Sequence, residues 1–367
     1  MADTPASNMP SRLNLRLIAQ RAGVSATTVS YALRNDPRVR AETRKMIEEI
    51  ALGLGYRMNP LVAALMTRIK SGRPINYQGT IAVLHDHLLE RRGDENPTAE
   101  KFVAGVVAGA GRHGFKAEKF ELNEAQKRPE SLKRILRARG IRGLVVLPPA
   151  ATQLKLAIDL VDIAPVCIGY PVVSPELHRV AHHHHKSFSL VWRELAVRRL
   201  RRIGLVVDEL VDDRVSNHWL ASYFFHSHHQ PARDRIPPFE HHSGLDSDTI
   251  SRFAQWRSRY RPEVVVVAGT ARIVLGWLQS LDLKVPSDLG VVALRSQSPD
   301  VTGIDQREEE VGAAATAVVI TNLLNNDFGI PSYPHLTLVP GRWVEGKTLK
   351  PGRTEHIMVF RPSDLTD

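Results

Sequence analysis

Apolar positions change their period once along the chain, and that change divides it. Up to about residue 57 they recur at helical spacing in short runs. Asn14 is placed to cap a helix over 15–21, and Gly23 suits the left-handed turn that ends it. Ser25 then caps a second helix from 26 to about 33, which Asn35-Asp36-Pro37 breaks. A third helix fits 41–52, with Gly53 and Gly55 at its stop. Leu17, Ile18, Val24, Val29, Leu33, Ile47 and Ile50 are the expected members of one very small core. The next stretch, YRMNPLVAALMTRIKSGRPINYQG, opens on a turn signal and carries one short apolar helix over 60–69. It ends in Gly, Pro and Asn and reads as a linker with a helix of its own.

Beyond residue 79 continuous apolar runs alternate with amphipathic ones. GTIAVLH, KAEKFEL, IRGLVVLPP, PVCIGYP, RRIGLVVDEL, EVVVVAG and DLGVVAL read as strands. KFVAGVVAGAGRHG, SLKRILRARG, QLKLAIDLVDI, FSLVWRELAVRRL, NHWLASYFFHSH and ARIVLGWLQSL read as helices between them. Strands apolar on both faces, separated by helices, predict parallel sheets covered on both sides. The stretch is too long for one small sheet, so two doubly wound lobes are expected.

Composition narrows the class. The chain has 367 residues, 43% apolar and 24% charged, as in a soluble globular protein of more than one domain. The lone cysteine, Cys167, excludes an intramolecular disulfide and fits a reducing cytosol. No apolar run of signal-peptide or membrane-spanning length is visible, so a cytoplasmic location and no membrane partner are expected. Of a net charge of +10, residues 1–77 carry +7, from twelve Lys/Arg and five Asp/Glu. A compact basic end suggests a polyanionic partner, most often nucleic acid, although a solvated surface would give the same count.

AQRAGVSATTVSYALRN, residues 19–35, gives that end a specific chemistry. Two short helices joined by a tight glycine turn, with small residues at their crossing, fit a helix-turn-helix. The second helix offers Ala26, Thr27 and Tyr31 outward, and Ser25, Thr28 and Ser30 are short donors suited to phosphate oxygens. A helix presented this way fits the DNA major groove. The longer run LRLIAQRAGVSATTVSYALRNDPRVRAETRKMIEEIALGLGYRMN resembles the lac-repressor (LacI/GalR) family of bacterial transcription regulators. Many positions agree at fixed spacing across about 50 residues, and the α/β remainder looks like that family's two-lobed, periplasmic-binding-protein-like sensor.

The resemblance implies a multidomain fold: an all-α helix-turn-helix domain at 12–57, a hinge helix and linker at 58–77, a two-lobed α/β sensing and dimerisation domain of doubly wound parallel sheets at 78–352, and a C-terminal tail at 353–367. It implies base reading by Ala26, Thr27 and Tyr31, and backbone contacts from Asn14, Ser25, Thr28, Ser30 and Asn35. Where the family caps its third helix with serine this chain has Arg40, which weakens that cap and adds a phosphate contact. NPLVAALM resembles the hinge helix, and Leu65 matches the leucine that wedges into the minor groove. Met58 and Ala63 depart from the usual proline and arginine there. The alternative for Leu61, Leu65 and Met66 is packing against the sensor domain.

The implied partners are a two-fold symmetric duplex operator, a second copy of the chain, and an unidentified, sugar-like effector in the cleft between the lobes. Arg214 matches an arginine that grips ligand hydroxyls, its alternative being a salt bridge with Asp212 or Asp213. Asp86, Tyr170, Trp219 and Arg295 are cleft candidates by position. The family's Asn-Asp and Phe-Asp pairs are replaced by Gly269-Thr270-Ala271 and Leu294-Arg295. That leaves two readings: an unusual, acidic effector, or the loss of effector binding. The run His182-His183-His184-His185 is expected to be a solvated, pH-sensitive loop and not a metal site, because consecutive residues do not converge on one ion. Nucleophile-elbow, Walker and zinc-protease motifs are missing, so no enzyme and no cofactor are expected. Two other readings remain open: a sugar-binding-like protein held to nucleic acid without sequence choice, and an α/β enzyme with a basic arm.

Overall fold

The computed structural model describes residues 15–32, 38–54, 79–86, 98–242 and 247–352. The chain divides into two compact units, Met1–Gln78 with Leu323–Asn326, and Gly79–Asn322 with Asp327–Asp367. Within 1–78 the described residues form three helices: α1 (Leu15–Ala22), α2 (Ala26–Ala32) and α3 (Ala41–Gly53). Gly23 turns the chain at φ +65°, and the Val24 amide returns to the Ala19 carbonyl at 3.1 Å, closing α1. The Ser25 hydroxyl accepts from the Thr28 amide at 3.0 Å and so caps α2. Ile18, Ala19, Val29, Ala32, Val39, Ile47 and Ala51 form the core. Val24 and Ile50 pack only at its margin. Ala19 belongs to this core because a small side chain there lets α1 and α2 approach. Asn14, Leu33 and Asn35, the whole expected linker with Leu65, and the tail 353–367 lie outside the described residues.

The second unit runs through β1 (Gly79–His85), α4 (Thr98–Arg112), β2 (Phe115–Glu121), α5 (Leu122–Lys127), α6 (Pro129–Ala138), β3 (Gly143–Val146), β4 (Leu154–Lys155), β5 (Ala164–Ile168), β6 (Val172–Ser174) and β7 (His178–His182). It crosses at His183 into a second lobe. That lobe holds α7 (His184–Val197), β8 (Ile203–Asp208), α8 (Glu209–Asp213), α9 (His218–His228), β9 (Phe239–His241), α10 (Ser247–Tyr260), β10 (Val264–Ala268), α11 (Ala271–Ser280), β11 (Gly290–Ala293) and β12 (Gly303–Asp305). The chain returns to the first lobe for α12 (Glu308–Asn325) and β13 (Leu336–Val339), then crosses a third time into β14 (Arg342–Val344).

Each lobe holds a six-stranded sheet. The first has the order β13-β7-β5-β3-β1-β2 and is parallel throughout. The second, β14-β12-β11-β10-β8-β9, is parallel except for its β12–β14 pair. Central strands such as GLVV, APVCI and VVVVA are buried along their whole length, as their continuous apolar runs require.

One expected helix is not a helix. QLKLAIDLVDI contributes the short strand β4 and then irregular chain. Its apolar residues alternate, and Leu156, Ile158 and Leu160 are buried while Ala157 and Val161 are exposed. A period of two fits extended chain lying on the core, and the composition of the segment hid that period.

Small residues let α4 and α12 touch backbone to backbone. A Cβ on Gly105 would run into the Glu309 carbonyl, and one on Gly312 into the Phe102 carbonyl. The Thr316 hydroxyl, which donates to the Gly312 carbonyl at 3.0 Å, faces the same crossing. Gly105→Ala should therefore force the helices apart and cost about 1–3 kcal/mol, read as a lower melting temperature with the first-unit helices unaffected.

Candidate functional site

Two features carry chemistry, one in each unit. On α2 the face bearing Val29 and Ala32 is buried, while Ser25, Ala26 and Thr27 at its start are exposed. Thr28 and Ser30 are half-buried. The Ser25 hydroxyl, besides capping the helix, lies 2.8 Å from that of Thr28. Tyr31 does not project freely. Its ring packs against the small core, with the Arg38 guanidinium 4.0 Å from the ring centroid. At α3 the Arg40 carbonyl receives the Arg44 amide, and the Arg44 guanidinium closes on the Val39 carbonyl at 3.0 Å. Arg40 itself is exposed.

In the second unit a cavity of about 450 Å³ opens between the lobes. Its walls are the loops that follow the strands: Asp86 after β1, Pro148 and Ala150 after β3, Tyr170 after β5, and Thr270 after β10. Asp86, Tyr170, Arg214, Trp219 and Arg295 all line it. Parallel strands end there because both sheets turn their carboxyl ends toward the crossovers.

Each of these groups already has work in the structure. The Asp86 carboxylate accepts from the Asn123 amide at 3.0 Å and from the Ala150 backbone at 2.9 Å. Arg214 Nη1 donates across the cleft to the carbonyls of Ala150 and Ala151, at 2.7 and 3.0 Å. Asp212 instead caps α9, accepting from the Trp219 and Leu220 amides. Arg295 Nε donates to Glu308 Oε1 at 3.1 Å and ties β11 to the start of α12. Two arginines of the second lobe thus hold groups of the first.

The histidine run is not a solvated loop. His182 ends β7, His184 begins α7, and both are more than nine-tenths buried at the floor of the cavity. The crossover carries this stretch between the two sheets, which buries the imidazoles of His182 and His184, while His183 is half-buried and His185 exposed. His184 lies 4.6 Å from the Trp219 ring, 5.6 Å from Tyr170 and 5.1 Å from His182, centroid to centroid. The His218 ring lies tilted against Tyr170, centroids 4.8 Å apart. Neither ring nitrogen of His182 has a hydrogen-bond partner among the described residues, nor does Nδ1 of His184. Burial pushes His182 down to about 4, the backbone at Gln306 opposing it only in part, and holds His184 well below the usual imidazole range. Both are neutral at neutral pH. No group of three or more metal-ligating side chains is present among the described residues. The reading of the sequence missed this pair. The available signal was its place between an apolar strand, HRVAH, and an amphipathic helix, where a crossover must be buried.

The shift in His182 sets a direction for stability. The unfolded chain takes up a proton near 6.5 and the folded chain only near 4, so protons favour unfolding between those values. Stability should be complete above pH 6.5 and fall as pH drops toward 4, by about 3 kcal/mol at most from this residue. Urea unfolding at pH 7, 5.5 and 4.5 should show the slope, and His182→Gln should reduce it, the share of His184 and His226 remaining.

Comparison with known proteins follows the same division. The lacI family of bacterial regulatory proteins is matched over residues 14–59, and the periplasmic binding protein-like domain over 192–349. The HTH-type transcriptional regulator MalR of Staphylococcus xylosus is 21% identical over 333 residues, which cover 85% of this chain and 94% of MalR. Among solved structures, the lac repressor dimer bound to operator and the anti-inducer ONPF superposes with a TM-score of 0.52 at 17% identity, covering 92% of this chain and 99% of that one. The transcriptional regulator CelR–cellobiose complex gives 0.51 at 16%, covering 92% and 100%. At these identities the structural likeness carries the fold.

Proposed function

We propose that this chain, a transcription regulator with a lacI-family DNA-binding helix-turn-helix and a periplasmic-binding-protein-like sensor domain, works in the cytoplasm as a dimeric repressor whose hold on a two-fold symmetric operator is set by a small molecule in the cavity. The observation that carries the reading is α2. Its buried face is locked by Val29 and Ala32, and its exposed start presents Ala26 and Thr27. Ala26 meets a thymine methyl, Thr27 hydrogen-bonds a base edge, and the hydroxyls of Ser25, Thr28 and Ser30 serve phosphate oxygens. Asn14 and Asn35 add backbone contacts, and Leu65 wedges the minor groove at the operator centre. Tyr31 both supports the small core and reaches a base from its edge.

The lac repressor is described as a dimer on its operator with a ligand, and CelR as a complex with cellobiose. In this chain the aromatic wall of Tyr170, His184 and Trp219, its rings inclined to one another, suits the apolar face of a hydroxylated ring, and Asp86 and Arg214 stand where hydroxyls would meet them. A ligand that draws Arg214 from the Ala150 and Ala151 carbonyls changes what holds the lobes together, and with it the population of the DNA-binding arrangement.

The test is selection of bound fragments from a random duplex pool by the purified protein, at about 150 mM salt to suppress counterion-driven binding. A two-fold symmetric consensus is expected, and recovery of an unenriched pool would overturn sequence reading. On the selected duplex, Thr27→Ala should cost about 1–3 kcal/mol of discrimination at one base pair of each half-site. Tyr31→Ala should also lower the melting temperature, because its ring packs on the core. Leu65→Ala should reduce the bend angle and leave the half-site preference intact.

A further inference from the structure

The amino ends of the second lobe's strands, away from the cavity, carry a concentration of positive charge that the reading above does not use. Three segments meet there: 199–202 before β8, 230–235 before β9, and 257–263, which is the last turn of α10 and the turn into β10. The Arg202 guanidinium is their hub. Its Nε donates to the Arg261 carbonyl at 3.1 Å, its Nη1 to the Arg233 carbonyl at 3.0 Å, and its Nη2 to the Tyr260 carbonyl. Gln230 fixes the Arg201 carbonyl at 2.8 Å, and Arg235 closes on the carbonyls of His228 and Gln230. The surface is therefore built and does not consist of loose side chains on separate loops.

Around this hub Arg199, Arg201, Arg233, Arg235, Arg259 and Arg261 are exposed, and Glu263 is the one exposed carboxylate in the same three segments. Glu263 is taken up by the backbone amides of Arg201 and Arg202, at 2.7 and 2.9 Å. Arg199, Arg201, Arg233 and Arg261 have no carboxylate at ion-pair distance among the described residues. A second observation points the same way. Arg199 and Arg261 adopt left-handed backbone, at φ 59° and 46°, where glycine is favoured and a long side chain is strained. Each stands just past the carboxyl end of a helix, α7 or α10, where the helix dipole also favours a cation.

The partner follows from what the surface lacks. None of the three segments exposes a large apolar side chain, so the anchor of a protein–protein interface is missing. Guanidinium groups exposed together on one surface suit a row of phosphates. We propose that this pole is a second, sequence-independent seat for duplex DNA, through which a protein held on one duplex by α2 takes hold of another. The bridging of two duplexes rests on the proposed role of α2, whereas the seat itself does not.

The test uses the full chain tethered to beads. One equivalent of a short unlabelled duplex carrying the selected sequence is bound first, and a labelled, sequence-neutral duplex of about 60 base pairs is then offered at about 50 and 200 mM salt. The wild type should capture the label at low salt and lose it at high salt. The variant R201E/R233E/R261E should capture at least tenfold less while holding the first duplex unchanged. A second variant, R199G/R261G, removes two charges and relieves two strained residues. It should capture about threefold less with a melting temperature equal to or above the wild type. Capture abolished by the first duplex, capture unaffected by charge reversal, or a lower melting temperature of R199G/R261G with intact capture would each overturn the proposal. Preferential capture of labelled polyglutamate would overturn the nucleic-acid assignment. Should α2 read no sequence, the first duplex is not retained, and wild type against the reversed variant on the labelled duplex alone still decides the seat.

Discussion

The crossover between the two lobes is the constraint on which the second unit depends. Three segments pass through it: His182 to His184, Asp305 to Glu308, and Val339 to Arg342. They are bonded to one another, with the His183 amide on the Val339 carbonyl at 2.8 Å and the Gly341 amide on the Ser187 hydroxyl at 3.2 Å. Gly341 has no room for a side chain, since a Cβ would meet Ile304, the Asp305 carbonyl and the His182 ring. Because both sheets turn the carboxyl ends of their parallel strands toward this joint, the loops after β1, β3, β5, β8, β10, β11 and β12 open on one cavity. The site therefore arises from topology before any particular side chain is chosen.

Electrostatics then divides the molecule by depth. At the joint, burial removes charge, and His182 and His184 are held neutral by desolvation. At the cleft walls charge is retained by pairing, as Arg295 with Glu308 and Arg214 on two carbonyls. At the far end of the second lobe arginines stand in solvent, organised by one guanidinium that has turned inward. The same residue type bridges the lobes in one place and presents uncompensated charge in another, and the difference lies in what the neighbouring backbone offers it.

Much of the small unit was legible because its signals are local. Gly23, Ser25 and the alternation of Val29 with Thr27 and Thr28 act within one turn of chain, and the glycine turn, serine cap and buried face appear where that logic puts them. Tyr31 is the exception. Its spacing marks an outward residue, yet the core is small enough that its ring is needed to cover it. In the large unit the buried strands announced themselves as unbroken apolar runs. QLKLAIDLVDI did not, because a segment lying on a core from outside shows an alternation that a helix-forming composition masks.

The three-helix front end, the alternating α/β class and the basic end were written in the chain, since each follows from periodicity, capping or charge over a short stretch, whereas the places of Arg214 and Asp86 near a cleft came from the family resemblance and from position. Tertiary structure alone decided that four consecutive histidines would be split between a cavity floor and a helix face. Packing likewise set Arg214 on Ala150 and Ala151, 64 and 63 residues away, while its neighbour Asp212 caps α9. It also brought residues 199–202, 230–235 and 257–263 to one surface. These are contacts between segments far apart in the chain, and no local pattern encodes them because their partners are chosen by the packing of the sheets.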